Sequence, residues 1–285
     1  MVPETSADSL IRLGAYLLVF GLFAAWEAFA PRRRPSLPRA ARWPHNLGLL
    51  IVDALALRLL APGAVVAVAI AGEAHGWGLF NAVTTPTWVA VPLAVVLLDL
   101  AIYVQHVLFH AVPTLWRLHR VHHADLEFDV TTGTRFHPLE ILISVAIKCA
   151  AVAAIGAPPV AVLAFEVLLN ATSVFNHANA RLPLRLDAFL RWFVVTPDMH
   201  RVHHSIVYNE SASNFGFNLP WWDRLLGTYR AQPAAGHEGM TIGVDAFRSP
   251  ADLRLDRLLA QPFLDTPGGY SINRRPDARS PEPTA

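Results

Sequence analysis

Ten of the 13 histidines in this 285-residue chain fall between His106 and His204, and their spacing is not random. The pattern is His106-x-x-x-His110, then His119-x-x-His122-His123, then His137 and His177 singly, then His200-x-x-His203-His204. At the chain's histidine frequency a His-x-x-His-His triplet is expected about 0.03 times, so two copies point to a shared task. Residues at i, i+3 and i+4 share one helix face, which is how a helix offers several ligands to one centre. Three imidazoles on one face beside a second such face repel when protonated and leave donors unmet when neutral, unless a metal organises them. Imidazole suits iron, copper, nickel and zinc. Eight clustered histidines exceed the capacity of one ion, so at least two ions are implied. A His-Glu-x-x-His zinc motif and the Glu-x-x-His repeats of carboxylate di-iron bundles are both absent. What remains is an all-imidazole or nearly all-imidazole dinuclear site, which points to oxygen chemistry at a redox metal. The isolated His45, His75 and His237 read as polar side chains at a solvated or interfacial surface.

The elements that must position these ligands are membrane helices. The chain is 53% hydrophobic and 16% charged, with mean hydropathy +0.36, whereas soluble domains carry about a quarter charged residues. A net charge of +1 gives no nucleic-acid footprint, and the single Cys149 excludes an internal disulfide or a thiolate cluster. A span takes about 20 apolar residues. Residues 9–30, 46–72 and 86–110 are read as three such spans, and 139–175 as a helical hairpin divided at Gly156-Ala157-Pro158-Pro159. The first is read as a retained span rather than a signal peptide, because Pro31-Arg32-Arg33-Arg34 follows it instead of a cleavage site. Lys148, the lone lysine, falls mid-span and suggests that its arm is short and bends toward the surface.

Arginines fall between spans one and two, between span three and the hairpin, and after the hairpin; residues 73–85 have no lysine or arginine. The basic segments therefore belong on the cytoplasmic side, with the histidines. The expected fold is an all-α integral membrane bundle, about three full spans plus a hairpin, with a cytoplasmic helical cap carrying the histidine clusters. The expected location is the cell or inner membrane.

The stretch from Asp99 to Tyr229 also carries Asp99-x-x-x-Tyr103-x-x-His106-x-x-x-His110, Trp116-Arg117-x-His119-x-x-His122-His123 and Arg135-x-His137-Pro138-x-Glu140. Further on stand Phe175-x-His177-x-Asn179, Pro197-x-x-His200-x-x-His203-His204, Asn214-Phe215-Gly216 and Trp222-Asp223-Arg224-Leu225-x-Gly227-Thr228-Tyr229. In this combination and order the chain resembles the fatty acid hydroxylase superfamily, and within it the sterol desaturase family of membrane di-iron enzymes with three histidine boxes. The resemblance implies oxygen-dependent hydroxylation or desaturation of a lipid, with two iron ions, dioxygen as co-substrate and electrons from a separate donor protein. It implies His106, His110, His119, His122, His123, His200, His203 and His204 as box ligands and His177 as a further one; where some relatives place another histidine, this chain has Ser173. His137 is read either as a ligand or partner of one, or as a helix start before Pro138 and Glu140. Asp99 lies two turns before His106 and is expected to hydrogen-bond a ligand imidazole, and Glu140 is a candidate for the same task. Asp223 and Arg224 are read as an ion pair.

The division expected is residues 1–85 as N-terminal membrane helices, 86–230 as the histidine-box catalytic domain, 231–262 as an extension and 263–285 as a disordered tail. A metal-dependent membrane lipid hydrolase using metal-activated water is the alternative enzyme class. A metal transporter is disfavoured because its ligands belong near mid-membrane.

Overall fold

The computed structural model describes residues 6–265. Among them the chain is all-helical, with two isolated bridges, Pro31 to Ala180 and Ser205 to Ile242, and no strand. The main helices are α1 (Ser6–Phe29), α2 (Trp43–Leu60), α3 (Ala64–His75), α4 (Thr87–Ala111), α5 (Pro113–His123), α6 (Pro138–Ile155), α7 (Pro159–His177), α8 (Pro197–His203) and α9 (Leu255–Ala260). Five stretches are long and apolar enough to cross a membrane: Leu10–Phe29, Trp43–Ala82, Thr87–Ala111, Pro138–Ile155 and Pro159–His177. Their outer faces suit a bilayer, with Leu13, Leu17 and Leu22 of α1 and Leu55 and Leu59 of α2 all exposed.

Prolines and glycines set most of the boundaries. The hairpin forms where expected: Gly156 closes α6 in the left-handed region at φ 70°, and α7 starts at Pro159. A Cβ at Gly156 would stand 2.8 Å from the Trp77 carbonyl, so the hairpin tip is closed by the 77–81 loop. The expected single span 46–72 is instead two helices, α2 and α3. Pro62 supplies no N–H donor and Gly63 adopts φ 60°, which breaks the helix there. Lys148 does not bend its arm outward: α6 is continuous through it and Lys148 faces Glu166 of α7. Gln261–Phe263 form a 3-10 turn whose neighbouring carbonyls accept from Arg117 and Arg120 of α5; residues 266–285 of the expected tail lie outside the described residues.

The core lies between α3, α4, α6 and α7. One stripe of α4 reads Ala90, Ala94, Leu98, Ile102, His106, His110, a four-residue period that is buried throughout. α4 packs against α6 and α7, and the same stripe delivers two histidines at its C-terminal end.

Candidate metal centre

The turn at Val112-Pro113 folds α5 back along α4, and this sets the first ring pairs. His106 Nε2 lies 3.1 Å from His119 Nε2, and His110 Nε2 lies 3.2 Å from His123 Nε2. α8 begins at an N-cap, where Thr196 Oγ1 accepts from the Met199 amide, and presents His200, His203 and the C-terminal cap residue His204. His177 is the last residue of α7. All nine rings are buried, none more than 3% exposed. They fall into two groups: His106, His110, His119, His123 and His203; and His122, His177, His200 and His204. Within each group the candidate ligand atoms lie within 4.8 Å of one another. Each triplet was expected to serve one centre, but α5 and α8 divide theirs. α5 gives His119 and His123 to the first group and His122 to the second, and α8 gives His203 to the first while His200 and His204 join the second.

The hydrogen bonds around the rings test whether metals fit. His106 Nδ1 donates to the Phe215 carbonyl, His203 Nδ1 to the Ser213 carbonyl and His177 Nδ1 to the Ser173 carbonyl, each at 2.7 Å. Carbonyls only accept, so each of these neutral rings has its proton on Nδ1 and a bare lone pair on Nε2. His106 Nε2 and His203 Nε2 nevertheless stand 3.0 Å apart, a juxtaposition of two acceptors that a shared cation resolves. Nitrogens in neighbouring positions on a metal with bonds of about 2.1 Å at right angles stand about 3.0 Å apart. Burial, then the neighbouring imidazoles, pushes His122, His123, His200, His203 and His204 well below the usual histidine range, and burial takes His119 down to about 3. The donors are neutral imidazoles, the form that binds metal.

Surrounding residues aim these rings. Glu140 Oε1 accepts from His119 Nδ1 at 2.6 Å, the carboxylate–histidine arrangement that fixes a ligand's tautomer. Asn214 sits in the left-handed region at φ 54°, with its amide donating to the Met199 and Arg230 carbonyls. The carbonyls on either side of it are those that hold His203 and His106. Asp223 does not pair with Arg224: it takes the Phe215 and Gly216 amides at 2.8 and 2.9 Å, while Arg224 stacks on Trp192 and Tyr229. Gly133 lies so close to the Ser173–His177 turn that a Cβ would meet the Ser173 carbonyl at 2.7 Å and the His177 ring at 3.1 Å.

Two expected partners lie elsewhere. Asp99 reaches no imidazole; its carboxylate accepts from the Asn218 and Leu219 amides and Trp222 Nε1, because the 215–222 loop crosses its face of α4 before any ring can. His137 stands outside both groups. Its Nδ1 accepts from the Leu139 amide as the N-cap of α6, and its Nε2 donates to the Leu259 carbonyl. His237 is buried 3.5 Å from Asp198 rather than at a surface.

A charged clamp holds the centre to the bundle. Arg42, before α2, is 1% exposed and forks onto Asp125 at 2.8 and 2.6 Å and onto Asp129 at 2.6 Å. Asp125 follows His122-His123 by two residues, and its carboxyl is held well below the ordinary range by the Arg42 and Arg135 guanidiniums despite burial. Breaking one member of a buried pair costs about 3–5 kcal/mol. The clamp carried no signal in sequence, because its partners are more than 80 residues apart.

A cavity of about 900 Å³ opens onto His106 and His119. Ile102, Phe109, Phe136 and Phe217 line it beside these rings, and α1, α2, α3, α6 and α7 enclose the rest.

The fatty acid hydroxylase family matches residues 91–228, the stretch that holds all nine rings. An ornithine lipid hydroxylase of Rhizobium tropici is 31% identical over 189 residues, covering 65% of this chain and 54% of the relative. A human alkylglycerol monooxygenase is 28% identical over 65% of this chain and 40% of the relative. A human cholesterol 25-hydroxylase is 30% identical over 47% and 48% respectively. The chain spans about half the length of the curated relatives it matches. No solved structure shows a significant match. The motifs, the helical fold and this match place residues 91–228 with the fatty acid hydroxylase family.

Proposed function

We propose that this integral membrane protein hydroxylates a C–H position of a lipid, using dioxygen and electrons from a separate donor protein. The carrying observation is the cavity: a largely apolar space of about 900 Å³ has His106 and His119 in its wall, so one side of the substrate site would be the candidate metal centre. The five- and four-histidine groups would each hold one iron, and bound iron supplies the dioxygen activation needed to replace hydrogen by hydroxyl at an unactivated carbon. The balance is substrate, dioxygen, two electrons and two protons to alcohol and water. The relatives' names, all hydroxylases or monooxygenases, favour hydroxylation over desaturation.

The chain's own residues bind, orient and shield. Glu140 keeps the His119 proton on Nδ1, and the Phe215 and Ser213 carbonyls do the same for His106 and His203. Ile102, Phe109, Phe136 and Phe217 give an alkyl chain an apolar surface to lie on beside the rings. The catalytic unit would be residues 86–230. Arg32 and Arg42 pair with Asp198 and Asp125 at the histidine end, so the positive-inside pattern supports a centre facing the cytoplasm.

The test is to purify the full chain, measure iron per chain, and follow oxygen uptake with a reductant and a lipid extract. Iron binding with lipid-dependent uptake and a product heavier by one oxygen atom is expected. A zinc-loaded protein that cleaves lipid without oxygen would replace this reading with a hydrolase.

A further inference from the structure

The cavity wall carries a carboxyl that the protein itself leaves unused. Asp53, in the middle of α2, is 4% exposed and stands on the inward stripe of that helix with Asn46 and Leu49. It lines the cavity, and its Oδ1 is buried with no hydrogen-bond partner. Among the described residues Asp53 enters no ion pair, whereas Glu166 on the same cavity faces both Arg12 and Lys148. The groups beside Asp53 repeat the pattern. Glu140 gives Oε1 to His119, but its Oε2 is buried without a partner, and the two carboxyls are close enough for their charges to interact. One turn after Glu140, Ser144 Oγ accepts from Gln105 Nε2 at 3.1 Å, and Gln105 Oε1 has no partner either. Three open acceptors, two of them carboxyl oxygens, therefore share one stretch of wall on the His119 side. Buried acceptors are normally filled, and an acid inside a span is costly enough to mark a binding site. An alkyl chain alone cannot fill them, because it has no donor.

We propose that Asp53 is the centre of a subsite for a hydrogen-bond donor, a hydroxyl or an ammonium, carried by the lipid whose alkyl chain meets the rings. The assignment rests on the lipid hydroxylase reading and names the substrate class within it. Glu140 ties the subsite to the metal centre, since one of its oxygens holds the His119 ring while the other faces the open wall. Asp53 is thus a specificity residue: it selects a lipid with a donor and leaves one without a donor facing unpaired oxygens.

The test uses the purified full chain in detergent with three radiolabelled probes of one chain length: hexadecanol, hexadecylammonium and methyl hexadecyl ether, which accepts but cannot donate. At least one donor is expected to bind about tenfold or more tighter than the ether, the size of one hydrogen bond to a charged acceptor. Asp53→Leu should abolish that advantage while leaving ether binding and iron content unchanged. Because Asp53 has no partner to lose, this variant should also unfold at a higher temperature than the parent without lipid, where loss of a structural group would lower it. Asp53→Ala, read by the same binding comparison, decides the matter if Asp53→Leu does not fold. Asp53→Asn keeps an acceptor without the charge, so it should spare a hydroxyl advantage and remove an ammonium one, which separates the two classes. Equal binding of the three probes, an advantage unmoved in Asp53→Leu and Asp53→Ala, or a lower unfolding temperature for Asp53→Leu overturns the subsite. Failure of the parent reading looks different: no iron or no lipid-dependent oxygen uptake in the unmodified protein, whatever the probes show.

Discussion

The two histidine groups are built differently. In the five-histidine group the protein holds three outer ring nitrogens by hydrogen bonds, those of His106 on Phe215, His203 on Ser213 and His119 on Glu140. In the four-histidine group only His177 has such a bond, to Ser173. Nδ1 of His122, His200 and His204 and Nε2 of His204 find no partner. The first group is aimed before any metal arrives, whereas the second is held by packing, with His122 stacked on Phe136 at 4.5 Å and His204 on His123 at 4.5 Å. Pre-aimed ligands bind more tightly because less is ordered on binding. The five-histidine group should therefore be the firm site and the four-histidine group the labile one.

Alanine at His203 or at His204 should each lower turnover by more than about 1000-fold, near 4 kcal/mol of transition-state stabilisation. The two should differ in residual iron. His204→Ala should retain about one iron per chain and His203→Ala more, because four rings remain in the first group and two of them, His106 and His119, are still pre-aimed; the reverse order breaks the comparison. Glu140→Gln should weaken only the firm site, by about 10- to 100-fold in metal affinity, read as a faster second phase during timed chelation. Gly133→Ala presses on Ser173 and the His177 ring, so it should cost about 1–3 kcal/mol of stability and empty the labile site first. Smallest is an acid effect at the clamp. Asp125 titrates below its unfolded value of about 3.9, so its contribution is complete above that pH and is lost as pH falls below it. Thermal midpoints should drop on acidification below pH 4, and less so in Arg42→Met.

Much of this was legible in residue spacing. The i, i+3, i+4 histidines and the Gly-Pro break of the hairpin are local signals, and local geometry carries them into the fold. Periodicity places His119, His122 and His123 on one face of α5 but says nothing of which neighbouring helices share that face, so the division into two groups could not be read. Asp99 lies on the expected face of α4, yet a loop nearly 120 residues later takes its carboxylate. The ring-holding carbonyls of Ser213 and Phe215 have no side-chain signature at all, and only Asn214, tolerant of positive φ, marks the place. The split of α2 from α3 was in the sequence as Pro62-Gly63, but a continuous apolar run masks it.

Nine neutral imidazoles beside the cavity would hold two irons. Metal analysis of the purified full chain, with X-ray absorption at the iron edge, tests it most directly. The expected result is about two irons per chain in a nitrogen-dominated shell, falling to about one in His204→Ala. One metal per chain, or zinc alone with no iron uptake, would contradict it.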